Sequence, residues 1–262
     1  MPANNAITED KLLDGRISLL QHAAGYRVAI DPILLAASIP AVRNETILDV
    51  GAGAGAAMLC LAQRVAGVNV TGVELQRDLV HLANENIKNN GFQEHLQVML
   101  GDLQHPPPRL VPRSFHHVMA NPPYFEANRV RASHKEEKSR ANIEGSGGLS
   151  AWVQYCLSMV KLGGTITIIH RADRLSELLH LLSDKAGDSV IYPFWPHNPF
   201  KPSINKERNN KIPIYAKRII VQAVAGSNGP IKFSSGLVLH ETGGNPTKSA
   251  DNILRNGEPL IL

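Results

Sequence analysis

An α/β fold with a doubly wound, mostly parallel sheet is predicted by three observations. From about residue 46 onward, short β-branched runs alternate with longer segments of helical periodicity, the pattern of βαβ units. A glycine-rich turn lies where the first of these strands gives way to a helix. The chain has 262 residues, 43% hydrophobic and 19% charged, enough to bury a full-sized core and too apolar for a disordered tail. Gly and Pro are frequent but follow no repeat, which excludes fibrous and low-complexity classes.

Thr46 to Val50 (TILDV) is predicted as a buried first strand, and Gly55 to Val65 as the helix after it. Asn69 to Glu74 forms the second strand. Leu79, Leu82, Ala83 and Ile87 then fall at helical spacing, and Asn89, Asn90 and Gly91 supply the stop. Leu96 to Leu100 is the third strand. His116 to Ala120 is the fourth, and it runs into Asn121-Pro122-Pro123-Tyr124, where two prolines end ladder pairing. The polar stretch from Phe125 to Gly148 is expected to be a mobile loop. Ser150 begins a helix through Trp152, Val153, Leu157 and Val160 that Gly163-Gly164 should stop, ahead of a fifth strand at Thr165 to Ile169. Arg174 to Leu182 is amphipathic, a strand lies near Val190, and a Pro- and Asn-rich connection fills Pro193 to Pro213. Arg218 to Val224, Leu237 to Leu239 and a helix at Lys248 to Arg255 complete the chain. Residues 1–45 are expected to be an N-terminal extension packed on a single domain, 46–262. Trp152, Trp195 and the pair His116-His117 are expected in or near the core.

Lys and Arg number 27 against 23 Asp and Glu, for a net charge of +4 and an isoelectric point near 9.1. This mild bias permits a polyanionic partner without demanding one. The two cysteines, Cys60 and Cys156, lack metal-ligand spacing, and no secretory or membrane-spanning segment is evident. A reducing cytoplasm and no metal site are the expectation.

The chemistry concentrates at the carboxyl ends of the strands. Asp49-Val50-Gly51-Ala52-Gly53-Ala54-Gly55 joins a strand to a helix, so its glycines let backbone approach a ligand while helix amides face it. Glu74 ends the next strand, about 20 residues on, where a carboxylate can bind both hydroxyls of a ribose. An adenosine-containing cofactor follows. Gly51, Gly53 and Ala56 alone would also satisfy the dinucleotide pattern of a nicotinamide-dependent oxidoreductase. Asp49, Asp102 after the third strand and the Asn-Pro-Pro-Tyr run after the fourth are not needed by such an enzyme.

With these motifs the chain resembles the class I S-adenosylmethionine-dependent methyltransferases that act on a planar nitrogen through Asn-Pro-Pro-Tyr. Further runs, Gly15-Arg16, Gly25-Tyr26-Arg27, Asp31 with Leu34-Leu35, His170 to Arg174 and Gly236 to His240, are similar to bacterial tRNA adenine methyltransferases that modify the anticodon-adjacent adenine of a valine tRNA. The connection from Trp195 to Pro213 is longer than that family's. The resemblance implies a seven-stranded Rossmann-like sheet and S-adenosylmethionine held by Asp49, Gly51, Ala52, Gly53, Gly55, Glu74, Leu75, Gly101 and Asp102, with Asn121, Arg27 and Asp31 contributing. It implies catalysis by Asn121, Pro122, Pro123 and Tyr124, the tyrosine stacking the target base.

An amine conjugated to a ring is a poor nucleophile because its lone pair is delocalised. Acceptors at Asn121 and the Pro122 carbonyl would favour the pyramidal nitrogen and stabilise the positive charge developing on it. This argument applies equally to adenine, to guanine in ribosomal RNA and to a protein glutamine. About 45 residues ahead of the first strand are too few for the helical domain expected of glutamine methyltransferases. Two basic stretches favour RNA, one with Arg129, Arg131, Lys135, Lys138 and Arg140, the other with Lys201, Lys206, Arg208 and Lys211.

Overall fold

The computed structural model describes residues 6–24, 27–124, 147–200 and 213–262, together with the backbone of 204–205 and 210–211. A hairpin of β1 (Ile7–Leu12) and β2 (Ile17–His22) leads to α1 (Asp31–Ser38). The alternating core follows as β3 (Thr46–Val50), α2 (Ala56–Arg64), β4 (Asn69–Glu74), α3 (Arg77–Asn89), β5 (Leu96–Leu100) and β6 (Phe115–Ala120). Then come α4 (Gly148–Met159), β7 (Val160–Arg171), α5 (Leu175–Leu182) and β8 (Ala186–Trp195). The short pair β9 (Ile204–Asn205) and β10 (Asn210–Lys211) precedes β11 (Arg218–Ala225), β12 (Lys232–Phe233), β13 (Leu237–Val238) and α6 (Lys248–Asn256).

The main sheet runs β12-β8-β11-β7-β6-β3-β4-β5, with β13 also on β8. Strands β3 to β7 are mutually parallel, and β11 is inserted antiparallel between β7 and β8. Nine strands therefore replace the expected seven, because two two-residue strands, β12 and β13, add to the outer edge of β8. Adjacent residues alternate between two cores: Ile47, Ile169 and Ile220 pack with α1, α2, α3 and α6, whereas Leu48, Ile168 and Val221 pack with α4 and α5. This alternation is what a strand covered on both faces requires.

Two expectations are corrected. The helix α4 ends at Met159, ahead of Gly163-Gly164, and the glycine pair lies inside β7. Gly163 has φ +77°, and a Cβ on Gly164 would lie 2.5 Å from the His116 carbonyl, so the pair builds an irregularity in the β6–β7 ladder and not a helix cap. Pro193, assigned to a connection, is in β8 opposite Ile219. It is tolerated there because it falls in the gap between the stretches that β12 and β13 pair, a place where no N–H is needed.

Helix α3 fastens two sheet edges through side-chain amides. Asn86 is fully buried; its Oδ1 accepts from Leu20 N at 2.7 Å, and its Nδ2 donates to Leu20 O and Ala54 O, each at 2.9 Å. One turn on, Asn90 pairs with Ser18 N at 2.9 Å and Ser18 O at 2.7 Å. Four residues of helix rise about 6 Å and two residues of strand about 6.6 Å, so the two amides match alternate residues of β2. Asn84 makes the same pair of bonds to Val98 of β5, at 3.1 and 3.0 Å.

Candidate active site

Because β3, β4, β5 and β6 are parallel, their carboxyl ends share one edge, and the predicted motifs converge there. The turn after β3 is folded back onto β4: Gly51 N and Ala52 N both donate to Val73 O, at 2.8 and 3.1 Å. Gly51, Gly53 and Gly55 have φ of +72°, +56° and +90°, conformations that residues with a side chain rarely adopt. Space above Gly53 is open, whereas a Cβ on Gly51 would lie 2.4 Å from the Trp152 ring. Trp152, expected in the core, is half-buried: it packs against the core layer of α4 and α5, and its ring also lies over Gly51 of this turn.

Two buried carboxylates flank the turn. Glu74 accepts from Gly53 N and Gln76 N, each at 2.9 Å, and burial raises its pKa above the ordinary carboxylate range. Asp49 is 3% exposed, and burial, aided by the Glu74 charge, pushes its pKa up to about 7. The Met58 amide near the start of α2 opposes that shift, but Asp49 Oδ2 has no hydrogen-bond partner. A buried carboxylate oxygen without a donor is costly, and a bound N–H or cationic group is what would satisfy it.

Gly101 N donates to Glu74 O at 2.9 Å, which sets Asp102 beside the same edge. Asp102 accepts from Gln104 N at 3.0 Å, and Leu75 is 66% exposed next to Glu74. Arg27 lies elsewhere, bonded to Asp10 at 2.7 Å and to Thr8 at 3.2 Å on the N-terminal hairpin. Asp31 joins the other predicted cluster. Its Oδ2 accepts from the Tyr124 hydroxyl and, at 3.1 Å, from Arg218 Nε.

Tyr124 is 9% exposed, and its hydroxyl also lies 2.9 Å from Asn121 Oδ1. The Arg218 guanidinium sits 4.2 Å from its ring centroid, and His170 meets it in a T-shaped arrangement at 5.4 Å. The ring expected to offer an open stacking face is thus enclosed. His170 is fully buried, and burial with the nearby Arg174 charge pushes its pKa down to about 4, so the imidazole is neutral. Arg218, His170 and Trp152 are the site residues that motif spacing did not single out as such. Arg129, Arg131, Lys135, Lys138, Arg140, Lys201, Lys206 and Arg208 lie outside the described residues, and of Lys211 only the backbone in β10 is described.

A parallel sheet thus carries a glycine turn, two flanking acids and an Asn-Pro-Pro-Tyr run at one edge, and the chain is similar to known proteins in sequence and in fold. Residues 27–148 match the family model for the methyltransferase small domain. The structure superposes on a predicted O-methyltransferase, protein Atu636 from Agrobacterium tumefaciens, with TM-score 0.70 and 24% identity over 88% of this chain and 99% of that one. It also superposes on the tRNA (m1A58) methyltransferase TrmI from Aquifex aeolicus, with TM-score 0.54 and 13% identity over 79% and 72% of the two chains. The fold is the Rossmann-like methyltransferase fold.

Curated relatives are more specific. The chain is 33% identical over 159 residues to the tRNA1(Val) (adenine(37)-N6)-methyltransferase of Shewanella halifaxensis (strain HAW-EB4), covering 61% of this chain and 63% of that protein. It is 31% identical over 150 residues to the protein of the same name from Haemophilus influenzae (strain PittEE), covering 57% and 63%. The chain thus spans 63% of the length of these two relatives.

Proposed function

We propose that the chain is an S-adenosylmethionine-dependent methyltransferase acting on the exocyclic amino nitrogen of an adenine in RNA, with adenine 37 of tRNA1(Val) as target. The observation that carries this reading is the placement of Asn121 directly after β6, beside the glycine turn of β3, on the strand edge where ligands of open α/β sheets bind. The names of the curated relatives support the base and the RNA. The absence, among the described residues, of a helix long and apolar enough to cross a membrane fits a protein that meets tRNA in the cytoplasm, as do two buried free thiols.

The residues fit the cofactor. Open space at Gly53, the buried Glu74 carboxylate and the unpartnered Asp49 Oδ2 supply room, ribose acceptors and a place for a cationic group. When bound, S-adenosylmethionine supplies a methyl group on a cationic sulfur. In this reading Asn121 and the Pro122 carbonyl accept hydrogen bonds from the two amine N–H groups, localising the nitrogen lone pair and countering its developing charge. Pro123 fixes the turn that aims the carbonyl. Holding the nitrogen in line with the methyl group then supplies much of the acceleration.

The test is incubation of the purified protein with deuterated methyl donor and unmodified tRNA1(Val) transcript, followed by nucleoside mass analysis. N6-methyladenosine from position 37 is the expected product. A methylated guanosine, methylation of protein glutamine alone, or no transfer while S-adenosylhomocysteine binds would overturn the reading. Binding of NAD in place of S-adenosylhomocysteine would replace it with an oxidoreductase.

A further inference from the structure

Tyr124 has one hydroxyl proton and faces two oxygens. Asp31 Oδ2 makes a very short contact with it, and Asn121 Oδ1 lies 2.9 Å away. One proton serves one acceptor, and the carboxylate is the stronger because its hydrogen bond is charge-assisted. Asp31 is also fixed from the far side by Arg218, whose Nε donates to the same oxygen at 3.1 Å while its guanidinium covers a face of the Tyr124 ring. An oxygen of Asn121 left against the tyrosine oxygen would have no proton between them, in a spot where Tyr124 and Asp31 are both buried.

We infer that Asp31 and Tyr124 form a positioning pair that sets the Asn121 amide. Asp31 accepts the hydrogen bond of the Tyr124 hydroxyl, Asn121 Nδ2 donates to the tyrosine oxygen, and Asn121 Oδ1 is thereby turned out as acceptor for the incoming amine. The catalytic value of Asn121 depends on which end of its amide faces the substrate, and two groups from distant parts of the chain decide it. Asp31 then works on Asn121 through Tyr124. Tyr124 contributes its hydroxyl, in keeping with the enclosure of its ring by Arg218 and His170.

This inference rests on the proposed methyl transfer, and two readouts separate their failures. In steady-state assays, Tyr124→Phe, which keeps the ring, is expected to lower kcat about tenfold or more, with S-adenosylhomocysteine affinity within about twofold of wild type. Asp31→Asn is expected to lower kcat as well, but to add little in the Tyr124→Phe background, since both break one chain. Unchanged kcat in Tyr124→Phe, or losses that multiply in the double variant, would overturn the inference while leaving the methyltransferase reading intact. Independently of activity, the Asn121 side-chain amide protons in an asparagine-labelled sample, assigned by their loss in Asn121→Asp, are expected to exchange slowly in wild type and quickly in Tyr124→Phe. Equal exchange in both proteins would overturn it whatever the reaction proves to be.

Discussion

At the scale of single residues, the proposed function assigns cofactor binding to Asp49 and chemistry to Asn121. Asn121→Ala should leave S-adenosylhomocysteine affinity nearly unchanged and cut kcat about 10²- to 10³-fold, the usual cost of one lost transition-state hydrogen bond; titration calorimetry and single-turnover assays measure the two. Equal loss of both would mean that Asn121 holds the turn together. Asp49 is held at about 7 by burial and by Glu74, so the folded protein keeps a proton that the unfolded chain gives up near pH 4. Folding stability from this group is therefore full below that pH and is lost as the pH rises towards 7. Asn mimics the protonated acid. The Tm of Asp49→Asn should equal that of wild type near pH 4, exceed it increasingly up to about pH 7, and then hold a constant lead; a thermal melt series from pH 4 to 8 checks this, and a difference that does not vary with pH would contradict it. The variant should bind cofactor more weakly, having lost the charge that the site offers.

Among the elements, α3 joins the hairpin to the glycine turn. Asn86→Ala strands the Leu20 amide and the Leu20 and Ala54 carbonyls, and should cost about 2–4 kcal/mol in urea unfolding while weakening S-adenosylhomocysteine binding, because Ala54 belongs to the glycine turn. Asn90→Ala, which touches only Ser18 and its own helix, should destabilise without altering that affinity. Elements governed by local pattern were legible in the sequence: β3, β4 and β5 have the predicted bounds because each is a β-branched or aliphatic run closed by turn residues. Pro193 in β8 and Gly163-Gly164 in β7 were not, since local rules treat both as breaks and only the neighbouring strands show why they are tolerated. The same limit applies to the site. The glycine turn and Asn121 to Tyr124 are contiguous and stand out, but Asp31 meets Arg218 across 187 residues of chain, and no spacing rule brings them together.

For the whole molecule, the two cysteines report on the two core layers. Cys60 belongs to the layer of α2 and Cys156 to that of α4, both are buried, and burial pushes each thiol up to about 12. Thiol reagents should not label either under native conditions, and both should react together as the protein unfolds. Saturating S-adenosylhomocysteine should slow that labelling by the factor 1 + [L]/Kd expected when only the folded form binds; rapid labelling of one cysteine alone would show that its layer opens independently. Helix α3 has a bearing on association as well. A bare strand edge is a template for a second chain, and β5 ends the main sheet while one side of β2 ends the hairpin. Asn84 occupies the former edge at Val98, and Asn86 and Asn90 the latter at Leu20 and Ser18, so at those residues the peptide groups already have partners. Two asparagines on one helix and a third at its C-terminal cap thus protect two separate sheets from recruiting strands of other molecules, and replacing them would invite aggregation at both edges.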